Sequence, residues 1–184
     1  MNPRFYSVAG RIFLAALLLT TACARVPARP EPRLATVKSV DLGRYTGTWH
    51  EIARYPHWFE DGCHGATAHY EQLESGEISV TNRCRKGGPN GTPDEAIGVA
   101  RVVPGSGNAK LRVSFFWPIE GDYWIIHLDE NYQHAIISEP NRQYLWILSR
   151  KTKMDAGTLA GLKEKISQMG FDLAPLTLSP TAAP

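Results

Sequence analysis

Apolar and polar residues alternate along most of the middle of this 184-residue chain, which is the pattern of half-buried β-strands. The first such run places on one face Trp49, Glu51, Ala53 and Tyr55. Seven more runs follow, at residues 66–72, 77–84, 95–103, 110–117, 122–129, 134–140 and 143–150. Clusters of Gly, Pro, Asn and Ser separate them, as tight turns require. The pattern predicts an all-β fold, an eight-stranded up-and-down antiparallel barrel with room for one small ligand.

A different period appears near the end of the chain, over residues 155–169. Apolar residues recur there at helical spacing, namely Leu159, Leu162, Ile166 and Met169. Asp155 stands at the expected cap and Gly170 at the expected stop. We therefore expect one C-terminal α-helix, packed against the outside of the barrel.

Three short motifs occur in order within this pattern: Gly47-x-Trp49, Tyr144-x-Trp146 and Arg150. Together they resemble the three signatures of the lipocalins. The runs 47–55, 113–117 and 144–150 resemble in particular the bacterial outer-membrane lipocalins, the branch similar to apolipoprotein D, and the similarity extends from residue 38 to residue 176. We also expect the Arg150 guanidinium to stack over Trp49 in a cation–π contact.

The first 22 residues have the composition of an export signal. Arg4 and Arg11 accompany an apolar run at residues 12–19, which is too short to span a bilayer as a helix. The run ends at Leu19-Thr20-Thr21-Ala22-Cys23, which resembles the signal of bacterial lipoproteins, where the cysteine is lipidated after cleavage. The alternative is an ordinary secretory signal followed by a chance cysteine.

This resemblance divides the chain into a signal peptide (1–22), a lipidated Cys23 with a Pro-rich tether (23–40), a lipocalin barrel with its helix (41–176) and a flexible tail (177–184). Ala24, rather than Asp, follows Cys23, which in lipoprotein sorting implies the outer membrane, and we expect the barrel on its periplasmic side. The whole chain has 20 Lys and Arg against 18 Asp and Glu. Loss of Arg4 and Arg11 with the signal leaves no net charge, so nothing favours a nucleic-acid partner.

Cys63 and Cys84 flank one predicted hairpin, Cys63 just before its first strand and Cys84 at the end of its second. The two cysteines should lie close enough to form a disulfide if a bulge, or an irregular start of the first strand, brings them together. An oxidising periplasm would preserve such a bond. The alternative is a catalytic thiol at one of the two positions, as in the prostaglandin-isomerising lipocalins.

The resemblance implies that Tyr123 and Trp146 point into the barrel, and alternation then orients their neighbours. The predicted ligand-binding residues are Tyr70, Asn82, Val113, Phe115, Tyr123, Ile125, His127, Tyr144 and Trp146. An apolar cavity with these few polar groups suits an acyl chain with one polar head, and the family implies a fatty acid or a lysophospholipid. Trp58 and Phe59 would lie on a loop at the entrance. Core filling alone is the alternative role for each lining residue.

Two other functions stay open. Glu51 and His127 would act as acid and base if the chain were a lipid- or isoprenoid-modifying enzyme, whereas a barrel filled by its own side chains would be purely structural. His64 and His69 are spaced so that one strand does not direct both to one metal ion, and the chain has no phosphate loop or dinucleotide fingerprint. We therefore expect neither a metal nor a cofactor. Homodimers occur among similar proteins, and the sequence leaves that state open.

Overall fold

The computed structural model describes residues 33–182. The predictions for the signal peptide, for lipidation of Cys23 and for residues 23–32 of the tether lie outside this range. The strands in the described range are β1 Gly47–Arg54, β2 Cys63–Gln72, β3 Ile78–Lys86, β4 Thr92–Val102, β5 Lys110–Phe116, β6 Ile119–Leu128, β7 His134–Ser138, β8 Leu145–Ser149 and β9 Thr177–Leu178. The α-helices there are α1 Leu42–Tyr45 and α2 Ala156–Gln168.

Strands β2 to β8 pair in chain order, and β1 closes the sheet by pairing with both β8 and β2. His50 lies opposite Ser149 on one side and opposite Thr67 on the other. The prediction of a closed, eight-stranded antiparallel barrel is confirmed. We call the end that carries α1 and the β2–β3, β4–β5 and β6–β7 turns the closed end. The opposite end, with the β1–β2 loop and the β5–β6 and β7–β8 turns, is the mouth.

Two apolar cores lie on opposite sides of the barrel wall. The inner core fills the closed end and includes Trp49, Leu111 and Ile125, all fully buried. The outer core lies under α2, where Leu162 and Ile166 pack with wall residues such as Ile147. The helix begins at Asp155, whose carboxylate accepts a hydrogen bond from the Thr158 N–H at 2.8 Å. The predicted helix outside the barrel is therefore confirmed.

No helix in the described range is both long and apolar enough to cross a membrane.

β-Bulges in β1 and β6 interrupt the simple alternation. In β1, Glu51 lies opposite the inner-core residue Leu148, but Ala53 lies opposite the outer-core residue Ile147. The prediction that Ala53 and Tyr55 share a face with Trp49 is wrong, because the extra residue at the bulge turns them outward and turns Arg54 inward. A bulge reverses the face of every residue that follows it, and alternation alone gives no sign of it.

The two ends of the described chain pack on the barrel. Thr177 and Leu178 pair with β1 at Arg54 and Ala53, and the Gly65 N–H donates to the Pro180 carbonyl at 2.7 Å. The prediction of a flexible tail is wrong for these residues: β1 and β2 diverge beyond the His50–Thr67 pair, and the tail supplies partners for the exposed backbone groups. The last residues of the predicted tether pack too, since Leu34 and Val40 are buried.

Cys63 and Cys84 form a disulfide with an S–S distance of 2.06 Å, which agrees with the predicted bridge. The bond joins the start of β2 to the upper part of β3, near the mouth. The two sulfurs are therefore not available as a free nucleophile, and the catalytic-thiol alternative for these positions is wrong.

Removal of this disulfide is expected to lower the free energy of unfolding by roughly 3 kcal/mol, because the unfolded chain regains the entropy of a closed loop. The loop spans a sequence separation of 21. The double variant Cys63→Ser/Cys84→Ser should show this loss in urea unfolding, with a slope equal to or steeper than that of the oxidised protein because the unfolded chain is less constrained. Native protein reduced with dithiothreitol is the matched control and should give the same midpoint. Equal midpoints for the oxidised protein and the double variant would contradict the expectation.

Candidate functional site

The closed end is sealed by the signature residues Trp49, Arg150 and Gly47. The Arg150 guanidinium lies 4.0 Å above the Trp49 ring, as the sequence predicts. The same guanidinium donates to five backbone carbonyls, those of Arg44, Tyr45, Thr46, Thr48 and Tyr132. Gly47 has a φ of +91°, and a Cβ there would lie 3.3 Å from an Arg150 nitrogen. Arg150 therefore joins α1, β1 and the β6–β7 turn into one rigid base.

A layer of three tyrosines lies directly above Trp49. The Tyr45 and Tyr123 hydroxyls are 2.7 Å apart, and the Tyr70 hydroxyl donates to Tyr123 at 2.9 Å. Burial is the main cause that raises the pKa of each of the three phenols, so all stay neutral. Two predicted ligand-binding residues, Tyr70 and Tyr123, thus bond mainly to each other and to Tyr45. They form the floor of the interior.

Above this floor the inward-facing side chains are half-buried instead of buried, and we call the space that they line the upper chamber. It is lined by half-buried residues that face inward, namely Ala68, Asn82, Val113, Phe115 and Trp146. Gly98 allows β4 to lie close to β5 and the Phe115 ring, because a Cβ at this position would lie 2.6 Å from the Ser114 carbonyl and 2.8 Å from that ring. Four of the predicted ligand-binding residues therefore meet in one space.

The remaining three predicted residues have different positions. Ile125 faces inward but is fully buried in the closed-end core, below the chamber. Tyr144 stacks on Trp146 with ring centroids 5.9 Å apart, at the mouth. His127 is a wrong prediction, because the β6 bulge pairs it with the outer-core residue Ile136. Burial is the main cause that lowers the pKa of His127, and the charge of Lys165, on α2 outside the barrel, lowers it further.

The structure brings together four polar residues below the mouth that the sequence pattern did not predict as a group. We call Glu51, Arg54, His57 and Glu60 the buried charge cluster. Arg54 Nη1 lies 2.5 Å from Glu51 Oε1, and the Ser179 hydroxyl donates to the same carboxylate oxygen. Glu60 Oε2 lies 3.5 Å from both Arg54 Nε and His57 Nε2. The bulge in β1 brings Glu51 and Arg54 to the same inner face, which strict alternation would place on opposite faces.

Burial controls the charges in this cluster. It raises the pKa of Glu60 to about 9, with a further contribution from the neighbouring Glu51 carboxylate. It also lowers the pKa of His57 to about 4. At neutral pH Glu60 and His57 are therefore uncharged, and the charges that remain are those of the Glu51–Arg54 pair.

The loop at residues 55–62, which we call the lid loop, covers this cluster. The His57 and Phe59 rings stack with centroids 3.8 Å apart, and Phe59 also contacts Tyr144 at 5.6 Å. Trp58, at the crest of the loop, is exposed. The sequence correctly placed Trp58 and Phe59 on the loop at the mouth. Exposed apolar residues of the β5–β6 turn extend this rim, namely Phe116, Trp117 and Ile119.

Comparisons with known proteins agree with this geometry. Residues 40–181 match the family model described as a lipocalin-like domain. The chain is 40% identical over 156 residues to the outer membrane lipoprotein Blc of Vibrio cholerae, covering 84% of this chain and 88% of the relative. It is 36% identical over 162 residues to the outer membrane lipoprotein Blc of Escherichia coli, covering 86% and 88%. Insecticyanin from the tobacco hornworm Manduca sexta has the same fold, with a TM-score of 0.67 at 20% identity over 82% of this chain and 86% of that one.

Proposed function

This chain belongs to the lipocalin-like family, and from that membership we propose that it holds an amphipathic lipid, a fatty acid or a lysophospholipid, in its barrel. The family itself implies binding of a small hydrophobic ligand and is generally non-enzymatic. The chemistry of the interior supports the finer proposal, because largely apolar walls lead from a floor of neutral tyrosines up to charged groups at the mouth.

The observation that carries this proposal is the change in burial along the barrel axis. Inward-facing residues at the closed end, such as Trp49 and Leu111, are fully buried. Those nearer the mouth, such as Val113, Phe115 and Trp146, keep part of their surface exposed. An acyl chain that enters the chamber gains roughly 0.8 kcal/mol for each methylene it buries, which exceeds ordering costs for a long chain. This gradient supports a ligand chamber near the mouth over the filled-barrel alternative.

The proposed site in the cell is the outer membrane, with Cys23 as the lipid anchor. Similarity to proteins named outer membrane lipoprotein supports such anchoring. The Cys63–Cys84 disulfide is compatible with the oxidising periplasm, the side on which we place the barrel. Homodimer formation stays a prediction from the family.

The enzyme alternative loses its acid–base pair in this fold. Glu51 faces the interior, where it is bound by Arg54, whereas His127 lies outside the wall. A proton relay between them would have to cross the sheet, so the pair predicted from the sequence is wrong.

We expect the chain from residue 24 onward, purified from cells, to carry a lipid that native mass spectrometry detects. Titration of the delipidated protein with palmitate or lysophospholipid should quench tryptophan fluorescence saturably. The quenching should be largely lost in Trp146→Ala, because this indole lines the chamber. Trp124→Phe is the matched control, since Trp124 packs in the outer core with Lys110 over its ring. An empty barrel that responds to neither lipid would contradict the proposed function.

A further inference from the structure

The buried charge cluster contains hydrogen-bonding groups that the fold itself leaves unused. Within the described residues, Arg54 Nε, both ring nitrogens of His57 and Glu60 Oε2 are buried without a hydrogen-bond partner. The Arg54 and His57 side chains are only 10% and 2% exposed. Buried polar atoms in native proteins nearly always have partners, because each unpaired one costs free energy. Glu60 Oε2 lies 3.5 Å from both Arg54 Nε and His57 Nε2, so these atoms face one another without forming hydrogen bonds. Their accumulation at one point makes the cluster a candidate site for a partner from outside the chain.

The charge state of the cluster indicates the chemistry of that partner. Neutral His57 offers one ring N–H, and Arg54 Nε–H is always a donor. The groups that face Glu60 are Glu51 and Arg54 from β1, His57 from the lid loop, Tyr70 from the floor and the Trp146 indole from β8. Protonated Glu60 adds no negative charge beside these donors, and Glu51 is already neutralised by Arg54. The second ring nitrogen of neutral His57 is an acceptor, and protonated Glu60, 3.5 Å from His57 Nε2, is a donor of the matching kind. The Arg54 Nε–H and the His57 N–H are then two donors without an acceptor, and an ionised oxygen is the strongest acceptor available.

The cluster lies where the polar end of a chamber ligand would arrive. The Trp146 ring, which lines the chamber, is 5.3 Å from the His57 ring. Tyr144 is 5.7 Å from the same ring and Phe59 stacks on it, so aromatic groups enclose the cluster on the mouth side. An acyl chain resting on the tyrosine floor and passing Trp146 would bring its head to Arg54 and His57.

We infer that the buried charge cluster is the head-group subsite of this barrel, and that it selects single-chain lipids whose head is an anionic oxygen group, a carboxylate or a phosphate. Arg54 and His57 donate to that group, and Glu60 accommodates it only while protonated. This inference rests on the proposed lipid-binding function and adds the residues that hold the head group and the protonation state that they require.

The first test compares heads on one acyl chain: palmitate, palmitoyl lysophosphatidic acid and neutral monopalmitoylglycerol, bound to the native chain and to Arg54→Gln. Arg54→Gln is expected to weaken binding of the anionic lipids about tenfold or more, the effect of losing a charge-assisted hydrogen bond. Binding of monopalmitoylglycerol should change less than about twofold. Palmitate carries a carboxylate and lysophosphatidic acid a phosphate, so the comparison also distinguishes the two head groups. If Arg54→Gln weakens binding of only one of these lipids, the subsite is assigned to the head group of that lipid.

The second test avoids the risk that Arg54→Gln leaves Glu51 unpaired and the protein unfolded. Glu60→Gln keeps the size of the side chain and is neutral at every pH. For the native protein, affinity for hexadecanesulfonate, whose charge is constant, should be full at pH 7 and fall as pH rises through about 9, the pKa of Glu60. For Glu60→Gln it should stay level over that range. Glu95→Gln, at an exposed ion pair, is the matched control and should follow the native curve.

The outcomes separate this inference from the function beneath it. If all lipids bind and neither Arg54→Gln nor Glu60→Gln changes the preference for anionic heads, the subsite is refuted while lipid binding stands. Affinity for hexadecanesulfonate that rises with pH would also refute it, because the subsite requires protonated Glu60. A preference for hexadecyltrimethylammonium would refute it too, because the cluster would then bind a cation. If no single-chain lipid binds at all, the proposed function and the subsite fall together.

Discussion

Replacing Trp49 with alanine is expected to lower the free energy of unfolding by about 3–5 kcal/mol, the usual cost of removing a large aromatic side chain from a packed core. Trp49 is 0% exposed, and its ring packs 5.1 Å from the Tyr45 ring. Its indole N–H donates to the Tyr45 carbonyl at 2.8 Å, which loses a partner in the variant. The cavity would lie directly below the tyrosine floor, so the base of the upper chamber would lose its support.

Urea unfolding followed by far-UV circular dichroism measures this effect without relying on tryptophan fluorescence. The matched control is Trp117→Ala, because Trp117 is 75% exposed on the rim of the mouth. We expect that control to change stability by less than about 0.5 kcal/mol. Equal losses in the two variants would show that burial of Trp49 does not determine the stability of the closed end.

The closed end is the part of the molecule that the sequence predicts best. Trp49 and Arg150 are 101 positions apart, yet the predicted stacking contact forms at 4.0 Å. Alternation placed most strands within a few residues of their observed bounds, because one buried face per strand enforces a period of two. The helix beginning at Asp155 followed from its cap and its apolar spacing.

The mouth was predicted less well, for physical reasons that differ from residue to residue. His127 was assigned to the interior because a bulge has no signature in the alternation pattern. Arg54 was assigned away from Glu51 for the same reason, which concealed the buried charge cluster. The pairing of Thr177 with Arg54 depends on the divergence of β1 from β2, a property of the whole barrel that no local pattern contains.

These differences arise because the two ends of the barrel differ in how fully the fold satisfies its own polar groups. At the closed end, local pattern, packing and hydrogen bonding favour the same structure, so the sequence predicts it and the base is rigid. At the mouth, buried polar atoms such as Arg54 Nε and Glu60 Oε2 form no hydrogen bond within the described chain, although they lie 3.5 Å apart. Groups that a fold leaves unsatisfied are the ones available to a ligand, and they are also the ones that stability-based reasoning overlooks.

Arg150→Lys is expected to lower the free energy of unfolding by about 2–4 kcal/mol although the charge is kept, because lysine cannot reproduce the planar fork of donors. Arg150 Nη2 alone donates to the Arg44, Tyr45 and Thr46 carbonyls at 2.8–3.0 Å. A single ammonium with three donors satisfies at most part of the five carbonyls, and the rest lose a charge-assisted hydrogen bond. The loss should appear as a lower urea midpoint at unchanged slope.

The control for this variant is Arg83→Lys, at an arginine whose side chain is 56% exposed and pairs with Glu95 on the surface. Such a pair contributes roughly 0–1 kcal/mol, so the control should unfold almost as the native protein does. Combining Arg150→Lys with Trp49→Phe completes a double-mutant cycle, and direct stacking predicts a coupling energy of at least about 0.5 kcal/mol. Additive losses would mean that Arg150 stabilises the closed end through its backbone hydrogen bonds alone, and that its position over Trp49 is a consequence of those bonds.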